Sequence, residues 1–409
     1  MKFSKRSQLF LVSTLGLVAA ALLSSCEIVT IDYVFVASSS GSGTGSAGQI
    51  ETYDADSETG ALRVGAPSVP SGGINPVSMV VDSTYANLYV ANQGTAGSPG
   101  PVVHLAIDSS GVLTQKDSVT PSTPAVAVAV NAANTYLYVI SGTSSATLTA
   151  YSLSSGTIGS VAGQPIALTV PGYASDTIIP TAITVLANNN VVYVAAYDQT
   201  AYNPGGIPTS TANPGWVFGF TVGSGGTLTA VSGSPWKAGV KPSSIAADPT
   251  SRFVYVTDFA SNELIGYTVQ SGSTLAFLID GPFKTGNEPA SVVVDPRGLY
   301  IYVANSLDST VSAYDIALAT GDPTAAVNTT GNTSNSTDTQ PVQVIIDAAL
   351  GRFVYTANRL GNSVSGFRIN VNTGAMSNPT NASPYPSGDQ PTALVSVPHG
   401  NHSVQSVTP

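Results

Sequence analysis

The sequence predicts an all-β fold: a seven-bladed β-propeller with four-stranded antiparallel blades, closed by pairing of the C-terminal strand with the N-terminal blade. The first supporting observation is a tetrapeptide that occurs seven times. Its first residue is aromatic, its second is Val or Thr, its third varies, and its fourth is polar in six of the seven copies. The copies begin at Phe35, Tyr89, Tyr138, Tyr193, Tyr255, Tyr302 and Tyr355. They are separated by 47 (255 to 302) to 62 (193 to 255) residues, a period typical of radial arrays of small sheets.

Seven prolines, each opening a short alternating strand, are the second observation. They are Pro76, Pro124, Pro180, Pro242, Pro289, Pro341 and Pro391. The tetrapeptide at Phe35 has no such strand before it, and the strand at Pro391 has no tetrapeptide after it. We therefore expect the strand from Pro391 to become the inner strand of the blade that begins at Ile31. This pairing would close the ring and leave few exposed strand edges.

The fifth copy shows the order of elements within a repeat. Strands are predicted at residues 242–249, 253–258, 264–269 and 274–279, bounded by turns rich in Gly, Pro, Asn, Asp and Ser. Beyond the N-terminal segment, no stretch has helical periodicity. The chain is therefore predicted to form one propeller over residues 31–398, followed by a tail over residues 399–409.

The N-terminal segment is similar to a bacterial lipoprotein signal peptide. A basic start is followed by an apolar stretch over residues 9–23, and the sequence Leu-Ser-Ser-Cys then ends at Cys26. The apolar stretch is shorter than the roughly 20 residues that a membrane-spanning helix needs. We therefore expect a signal peptide over residues 1–25 and a lipidated tether over residues 26–30, with the lipid on Cys26 as the contact with the membrane.

The composition argues against nucleic acid as a partner and is typical of an exported protein. Charged residues make up 9% of the 409 residues, against about 25% in an average domain, and 23 acidic residues outnumber 13 basic ones. A chain so poor in cations cannot neutralise a phosphate backbone, so nucleic acid is an unsuitable partner. Cys26 is the single cysteine, so no disulfide is expected within the chain. We expect a monomeric exported lipoprotein. In the bacterial lipoproteins that the N-terminal segment resembles, Asp after the cysteine favours retention at the inner membrane. By that resemblance Glu27 implies the outer membrane, at its periplasmic face or at the cell surface.

The repeats follow the pattern P-x-S-[IV]-x-x-D-P, then [FY]-Y-V-[AT]-N, V-x-x-Y and G-x-L. In this pattern they resemble the YVTN-type seven-bladed β-propellers. They are most similar to the bacterial propeller lactonase family, whose members include 6-phosphogluconolactonase-like proteins. The resemblance covers residues 31–398. It implies the propeller fold and hydrolysis of a sugar-type or other small lactone. We expect no cofactor.

Two sets of residues are expected to form rings near one mouth of the central channel. The first set precedes the seven prolines, where extended backbone is favoured: Asn75, Thr123, Ile179, Lys241, Glu288, Gln340 and Gln390. Lys241 and Glu288 are the charged pair of this ring and form either a salt bridge or a ligand contact. The second set ends the tetrapeptides: Ser38, Asn92, Ser141, Ala196, Asp258, Asn305 and Asn358. Asn and Asp side chains there either close turns or contact a ligand.

For lactone hydrolysis, the family resemblance implies a carboxylate that activates water and a cation that stabilises the developing oxyanion. The candidate bases are Asp258 and Asp198, and the candidate anion contacts are Lys241 and Arg359. Candidate ligand contacts from the two rings are Glu288, Asn305 and Asn358. All of them are expected at the rim that carries the loops between second and third strands.

Blade 4 has an unusually long connection between its second and third strands, running from Tyr197 to Trp216. Long loops in compact domains are often functional. Tyr197, Tyr202 and Trp216 have aromatic rings that can stack on a sugar-like ring, which would make this segment a lid over a ligand. A plain insertion without a binding role is the alternative.

The histidines are His104, His399 and His402. His104 lies seven residues before Gly111, where other blades have an aromatic residue seven before a glycine. We therefore expect it to be a packing residue that Phe would replace without loss. The sequence has no histidine cluster that could bind a metal and no G-x-S-x-G nucleophile motif.

The rival interpretation is a non-catalytic module that binds a protein or glycan partner at the cell envelope. Charged groups are scarce and no histidine is placed for catalysis. Only Lys237, Lys241 and Arg359 are candidates for holding a phosphate at one rim. A turnover screen against a panel of lactones would separate the two interpretations.

Overall fold

The computed structural model describes residues 29–39, 47–95, 97–172, 176–188, 190–201, 214–328, 330–378 and 383–400. The predicted signal peptide, Cys26, Tyr202 and His402 lie outside the described residues. The helical segments within the described ranges are two short 3-10 turns, Ser224–Gly226 and Ser271–Ser273. Within the described ranges, no helix is long and apolar enough to cross a membrane.

Short β-strands account for the rest of the regular structure. In chain order they are β1 (Thr30–Ser38), β2 (Ala47–Asp56), β3 (Leu62–Val64), β4 (Val69–Ile74), β5 (Pro76–Val81), β6 (Asn87–Asn92), β7 (Gly94–Thr95), β8 (Ser98–Pro99), β9 (Val102–Ile107), β10 (Leu113–Val119), β11 (Ala125–Val130), β12 (Tyr136–Ser141), β13 (Thr147–Ser154), β14 (Thr157–Ala167), β15 (Ile178–Val185), β16 (Val191–Asp198), β17 (Gly215–Val222), β18 (Leu228–Ala230), β19 (Trp236–Lys237), β20 (Pro242–Ala247), β21 (Phe253–Asp258), β22 (Glu263–Val269), β23 (Leu275–Phe277), β24 (Phe283–Lys284), β25 (Pro289–Val294), β26 (Tyr300–Asn305), β27 (Thr310–Ile316), β28 (Pro323–Ala325), β29 (Ser334–Ser336), β30 (Pro341–Ile346), β31 (Phe353–Asn358), β32 (Ser363–Ile369), β33 (Met376–Ser377), β34 (Tyr385–Pro386) and β35 (Pro391–Pro398).

These strands form seven antiparallel blades, as the repeat predicts. In blade 5 the order from the inside outward is β20, β21, β22 and β23, and the other blades repeat it. The tetrapeptides lie in the second strands, and the prolines lie in or just before the inner strands. Blade 2 carries the extra hairpin β7–β8 between its second and third strands.

The outermost strand differs from the prediction in five blades. We expected one fourth strand at residues 274–279 in blade 5, but the chain pairs with β22 twice, first as β23 and then as β24. Blades 1, 4, 6 and 7 have the same divided outer edge. The break in blade 5 falls at Asp280-Gly281-Pro282, and Gly and Pro both interrupt a strand.

Closure of the ring is confirmed. Strand β35 pairs antiparallel with β1 from Asp32↔Pro398 to Ser38↔Pro391, and β1 pairs with β2 on its other side. Blade 1 therefore takes its inner strand from the C-terminal end of the chain and its second and third strands from the N-terminal end.

The core consists of apolar clusters between neighbouring blades. In one cluster Tyr255 of blade 5 packs with Val292, Ile301 and Tyr314 of blade 6. The tetrapeptide aromatic residues are fully buried. In five blades the tyrosine hydroxyl also donates to a backbone carbonyl in the next blade: Tyr89 to Gly156, Tyr193 to Ser273, Tyr255 to Gly321, Tyr302 to Gly374 and Tyr355 to Gly60. The repeated aromatic residue therefore joins each of these blades to its neighbour.

The strand register places two groups of loops at opposite ends of the channel. Pro242 pairs with Asp258, and Asp258 pairs with Glu263. The segment that links one blade to the next therefore lies beside the loop between second and third strands, and we call this end the linker rim. Strand β1 begins and β35 ends at the opposite rim.

Candidate functional site

The linker from Lys237 to Lys241 passes directly over the end of β21. Gly239 in this linker has a φ of +71°, and a Cβ added there would overlap the carboxylate of Asp258. Only glycine fits at this close approach because it has no side chain and tolerates the left-handed backbone. Glycines in three other linkers meet the residue that ends the neighbouring tetrapeptide in the same way: Gly73 against Asn92, Gly286 against Asn305 and Gly388 against Ser38.

Asp258 is fully buried beneath this linker. Its oxygens accept backbone N–H groups from Val240 at 2.7 Å, Lys241 at 2.9 Å, Ala260 at 3.1 Å and Ser261 at 3.4 Å. Four donors satisfy a carboxylate well and hold both the linker and the loop that follows β21. For Asp258 to activate water, this loop would have to open.

Asn305 and Asn358 occupy the equivalent positions in blades 6 and 7. Both side chains are fully buried. The amide of Asn305 donates to Thr310 Oγ1 at 3.0 Å and to Ser312 Oγ at 2.9 Å. Asn358 donates to Ser363 Oγ at 3.0 Å and to Ser365 Oγ at 2.9 Å. These bonds join second to third strands, so the geometry gives both residues the turn-closing role that the sequence left open.

Lys241 is the half-buried cation of the linker rim. Its ammonium lies 4.6 Å from the ring centroid of Phe259 and 5.8 Å from that of Tyr197. Burial lowers the pKa of Lys241, and the nearby charge of Glu288 acts in the opposite direction. In the described part of the chain, Lys241 and Glu288 do not form an ion pair within 4.0 Å. Lys241 thus lies beside Tyr197 and Phe259, and the charge of Glu288 acts on it. We call these four residues, which come from blades 4, 5 and 6, the rim cluster.

A second group lies on the blade 4 side of the same linker. The ammonium of Lys237 lies 3.7 Å from the ring centroid of Trp216. Burial lowers the pKa of Lys237, and the charge of Asp198 raises it. Asp198 is buried, and its Oδ1 accepts the backbone N–H groups of Thr200 at 2.8 Å and Ala201 at 3.3 Å. The structure therefore brings Asp198, Trp216 and Lys237 together.

Arg359 is separate from both groups. It lies on blade 7, two blades from Lys241, and its side chain is exposed. Its guanidinium is 3.5 Å from Oε1 of Gln390, the residue before the inner strand of blade 1. The structure therefore does not place Arg359 beside the rim cluster.

The backbone before the prolines differs from the expected extended form. Four of the seven residues are left-handed: Asn75 (φ 54°), Glu288 (φ 52°), Gln340 (φ 60°) and Gln390 (φ 51°). At Glu288 the N–H donates to Asn262 Oδ1 at 2.8 Å, and the carbonyl accepts the N–H of Ser306 at 2.9 Å. Loops of two blades therefore hold this residue from both sides, and these contacts override the local preference for extended backbone.

His104 is buried, as expected, but it is a hydrogen-bonding residue as well as a packing residue. Its ring stacks on Tyr89 with centroids 5.2 Å apart. Asn87 donates its amide to Asp82, which leaves Oδ1 to accept from His104 Nε2 at 2.8 Å. Nδ1 lies 2.8 Å from the Asp117 carboxylate. Phenylalanine can make neither bond, and loss of a hydrogen bond costs about 0.5–1.5 kcal/mol. The packing position of His104 is as expected, and the two hydrogen bonds, which the sequence did not indicate, make a loss of stability in His104→Phe the revised prediction.

Sequence reasoning missed a motif that shapes this rim. Serine or glycine, then proline, an aromatic residue, two others and glycine recur at 234–239, 281–286 and 383–388. The aromatic residue of each copy begins the second piece of a divided outer strand: β19, β24 or β34. The backbone carbonyl of the residue after this aromatic residue accepts a hydrogen bond from a tyrosine hydroxyl of the next blade. In blade 4 this is the carbonyl of Lys237, which accepts from Tyr267 at 2.5 Å. The repetition of this motif in three blades was the available signal.

No group of three or more metal-ligating side chains occurs in the parts of the chain that the structure describes. The rim cluster instead offers one ammonium, one carboxylate and two aromatic rings. An ammonium stabilises an oxyanion, a carboxylate accepts a proton from water, and an aromatic ring covers the apolar face of a sugar-like ring.

Comparison with known proteins identifies a family by sequence and related folds by structure. A family model described as a seven-bladed β-propeller lactonase matches residues 95–402. No curated protein is a significant match.

Several solved structures share the whole architecture. The periplasmic gluconolactonase of Pseudomonas aeruginosa matches with a TM-score of 0.70 and 18% identity, over 90% of this chain and 99% of that one. A candidate 6-phosphogluconolactonase of Bacteroides uniformis matches with a TM-score of 0.71 and 17% identity, over 90% and 100%. Another from Bacteroides fragilis has a TM-score of 0.67 and 15% identity, over 90% and 98%. At these identities the likeness establishes the fold.

Proposed function

The chain belongs to the lactonase family of seven-bladed β-propellers, and on that premise we propose that it hydrolyses a small sugar-type lactone at the rim cluster. The observation that carries this proposal is the position of Lys241, half-buried between Phe259 and Tyr197 and within the electrostatic reach of Glu288. A cation held in a poorly hydrated site interacts strongly with a developing negative charge.

The proposed reaction uses Glu288 as the base and Lys241 as the oxyanion contact. Water attacks the lactone carbonyl carbon while the carboxylate of Glu288 takes a proton from it. The resulting tetrahedral oxyanion lies against the ammonium of Lys241. The ring C–O bond then breaks, and the departing ring oxygen receives the proton from Glu288, which yields a hydroxy acid. Asp198 is the alternative base, because it lies at the end of β16 beside Tyr197.

Asp258 has a supporting role in this proposal. Its carboxylate accepts the N–H of Lys241 and fixes the linker that carries the lysine. Arg359 is too far around the ring to serve the same oxyanion.

The proposed substrate is a sugar-type lactone without a phosphate group. The rim cluster contains one cation and one carboxylate, which leaves no excess positive charge for a phosphate dianion. The face of Tyr197 suits a sugar-like ring. The name of the Pseudomonas aeruginosa relative, a periplasmic gluconolactonase, supports the same substrate class.

The test is turnover of glucono-δ-lactone within a panel of lactones, using the chain with Cys26→Ser. We expect Glu288→Gln to lower kcat/KM by about 10²-fold, the usual contribution of a general base. Lys241→Met should lower it by about 10²-fold or more, as loss of an oxyanion contact does. Lys284→Met is the matched control, because Lys284 is exposed and pairs with Glu263 away from the cluster. Hydrolysis of no lactone, or full activity in both cluster variants, would refute the proposal.

A binding module remains the second candidate, because the same rim exposes large apolar side chains. Leu307 and Leu360 follow the second strands of blades 6 and 7, with 65% and 61% of their surface exposed. Large apolar side chains exposed at equivalent positions of neighbouring blades favour a contact surface at this rim. If calorimetry detects binding of glucono-δ-lactone or a glycan fragment without any turnover, this function replaces hydrolysis.

We also propose that a lipid on Cys26 tethers the protein to the membrane, with the outer membrane as its location. The support is the signal-peptide pattern before Cys26 and the absence of any other cysteine in the sequence. Cys26→Ser should move the protein from the membrane fraction to the soluble fraction of the envelope. Unchanged membrane association of this variant would show that another contact holds the protein there.

A further inference from the structure

The loop between β21 and β22 holds the backbone of Glu288 through one asparagine. The N–H of Glu288 donates to Asn262 Oδ1 at 2.8 Å, and the amide of Asn262 donates to Asn287 Oδ1 at 3.0 Å. The carbonyl of Asn262 accepts the N–H of Thr285 at 3.1 Å. The side chain and the backbone of Asn262 are therefore both bonded to the linker that carries Glu288.

The bond to Asn262 opposes the local preference of the chain at Glu288. A residue before proline favours extended backbone, but Glu288 has a φ of 52°, which residues other than glycine rarely adopt. The backbone angles of a residue set the direction in which its side chain leaves the chain. Without an acceptor for its N–H, Glu288 is free to return to the extended form. That change would turn its carboxylate away from Lys241, on which its charge now acts.

The same arrangement occurs in blade 7, where no residue of the rim cluster lies. The N–H of Gln390, which has a φ of 51°, donates to Asn362 Oδ1 at 2.8 Å. The carbonyl of Asn362 accepts the N–H of Ser387 at 3.0 Å. Asn262 and Asn362 are both left-handed themselves, with φ of 58° and 49°. The bond is therefore a feature of the fold, and blade 5 differs because the residue held there is the carboxylate of the rim cluster.

Blade 6 makes the equivalent bond with a serine. Ser309 has a φ of 53°, and its Oγ accepts the N–H of Gln340 at 3.4 Å. A serine hydroxyl can therefore replace the asparagine amide as the acceptor for the residue before the proline.

From these contacts we propose that Asn262 is a positioning residue for lactone hydrolysis. It holds Glu288 in the conformation in which the carboxylate can take a proton from the water that attacks the substrate beside Lys241. This inference rests on the proposed function, with Glu288 as the base. Asn262 acts through Glu288 and leaves the aromatic rings of Tyr197 and Phe259 in place. Its loss should therefore lower kcat and change KM little.

The test is the kinetics of glucono-δ-lactone hydrolysis by the full chain with Cys26→Ser. Asn262→Ala should lower kcat by about tenfold, with KM within about twofold of the parent, since a misplaced catalytic group costs rate rather than binding. Asn262→Ser should keep kcat within about threefold of the parent, because its hydroxyl can accept the N–H of Glu288. Asn362→Ala is the matched control. It should lose as much stability in urea as Asn262→Ala does and keep the kcat of the parent.

A double variant shows whether Asn262 acts through Glu288. Asn262→Ala should cause no further loss of kcat when it is added to Glu288→Gln. A fully additive loss, or equal kcat in Asn262→Ala and Asn362→Ala, would overturn this inference and leave the proposed function intact, because Glu288→Gln alone would still be slow. If the parent hydrolyses no lactone, or if Glu288→Gln keeps full activity, the proposed base is wrong and the role of Asn262 falls with it.

Discussion

At the residue scale, the repeated tyrosine has two separable roles, apolar packing and a hydrogen bond to the next blade. Tyr255 performs both, because its hydroxyl donates to the carbonyl of Gly321 at 2.7 Å. Tyr138 performs only the first, since its buried hydroxyl has no partner among the described residues. The two residues are equally buried, so they form a natural matched pair.

Tyr255→Phe should therefore destabilise the protein by about 1–3 kcal/mol, because the Gly321 carbonyl is left buried without its donor. Tyr138→Phe should be neutral or slightly stabilising, because it removes a buried hydroxyl that makes no bond. Urea unfolding of both variants measures the difference. Equal losses of stability in the two would show that the hydroxyl does not join the blades.

The sequence predicted which residues are buried better than it predicted what their polar atoms contact. The fourth tetrapeptide position was correctly placed beside the rim, but Asp258 there bonds to linker residues that precede it by 17 and 18 positions. Nothing local to Asp258 distinguishes a carboxylate turned beneath that linker from one turned towards the channel. His104 is a similar case, because its partner Asp117 belongs to the outer strand of the same blade. Hydrogen bonds between separate strands depend on register, which the repeat fixes only approximately.

At the element scale, strands β1 and β35 meet blade 7 through a buried pair of carboxyl groups. Asp32 in β1 is fully buried, and its Oδ1 accepts the N–H of Ala349 at 3.1 Å. Ser396 in β35 accepts the N–H of Ala348 at 3.0 Å. Burial and then the charge of Asp347 raise the pKa of Asp32, and burial raises the pKa of Asp347. Asp347 also accepts several N–H groups of its own turn, so Asp32 is the better residue to neutralise.

This pair predicts a pH dependence of stability. A carboxyl whose pKa is higher in the folded state binds its proton more tightly there. Its contribution is full below the unfolded value of about 3.9 and is lost as the pH rises through the folded pKa. We expect the urea midpoint of the parent to fall between pH 4 and pH 8 more steeply than that of Asp32→Asn. Parallel profiles for the two proteins would contradict this interpretation.

The divided outer strand marks the limit of sequence reasoning at this scale. The predicted fourth strand of blade 5 ended at residue 279, and no further strand was predicted before Pro289. The chain returns to β22 for two residues only, Phe283 and Lys284. A segment that short has no alternation to detect.

At the scale of the whole molecule, ring closure was predictable because it is a matter of counting. Seven prolines and seven tetrapeptides that are out of step by one strand require the ends of the chain to share a blade. The rim cluster was only partly predictable. Lys241, Glu288 and Tyr197 were identified, whereas Phe259 was not, although it stands at the same position after its tetrapeptide as Tyr197 does in blade 4. Arg359 was grouped with Lys241 because both were expected at the same rim. The sequence does not give the distance between two residues along that rim.

The position of β1 also has a mechanical consequence. The strand lies between β2 and β35 and is paired with both along most of its length. A force that pulls on the chain at Thr30 acts along the strand axis, so the ladders on both sides bear the load at the same time. Such a strand must slide past two neighbours together, whereas a strand at the edge of a sheet peels away one bond after another. Because β1 is paired on both sides, blade 1 resists unfolding by a force applied at the end where a tether would pull. The rim cluster lies at the opposite rim.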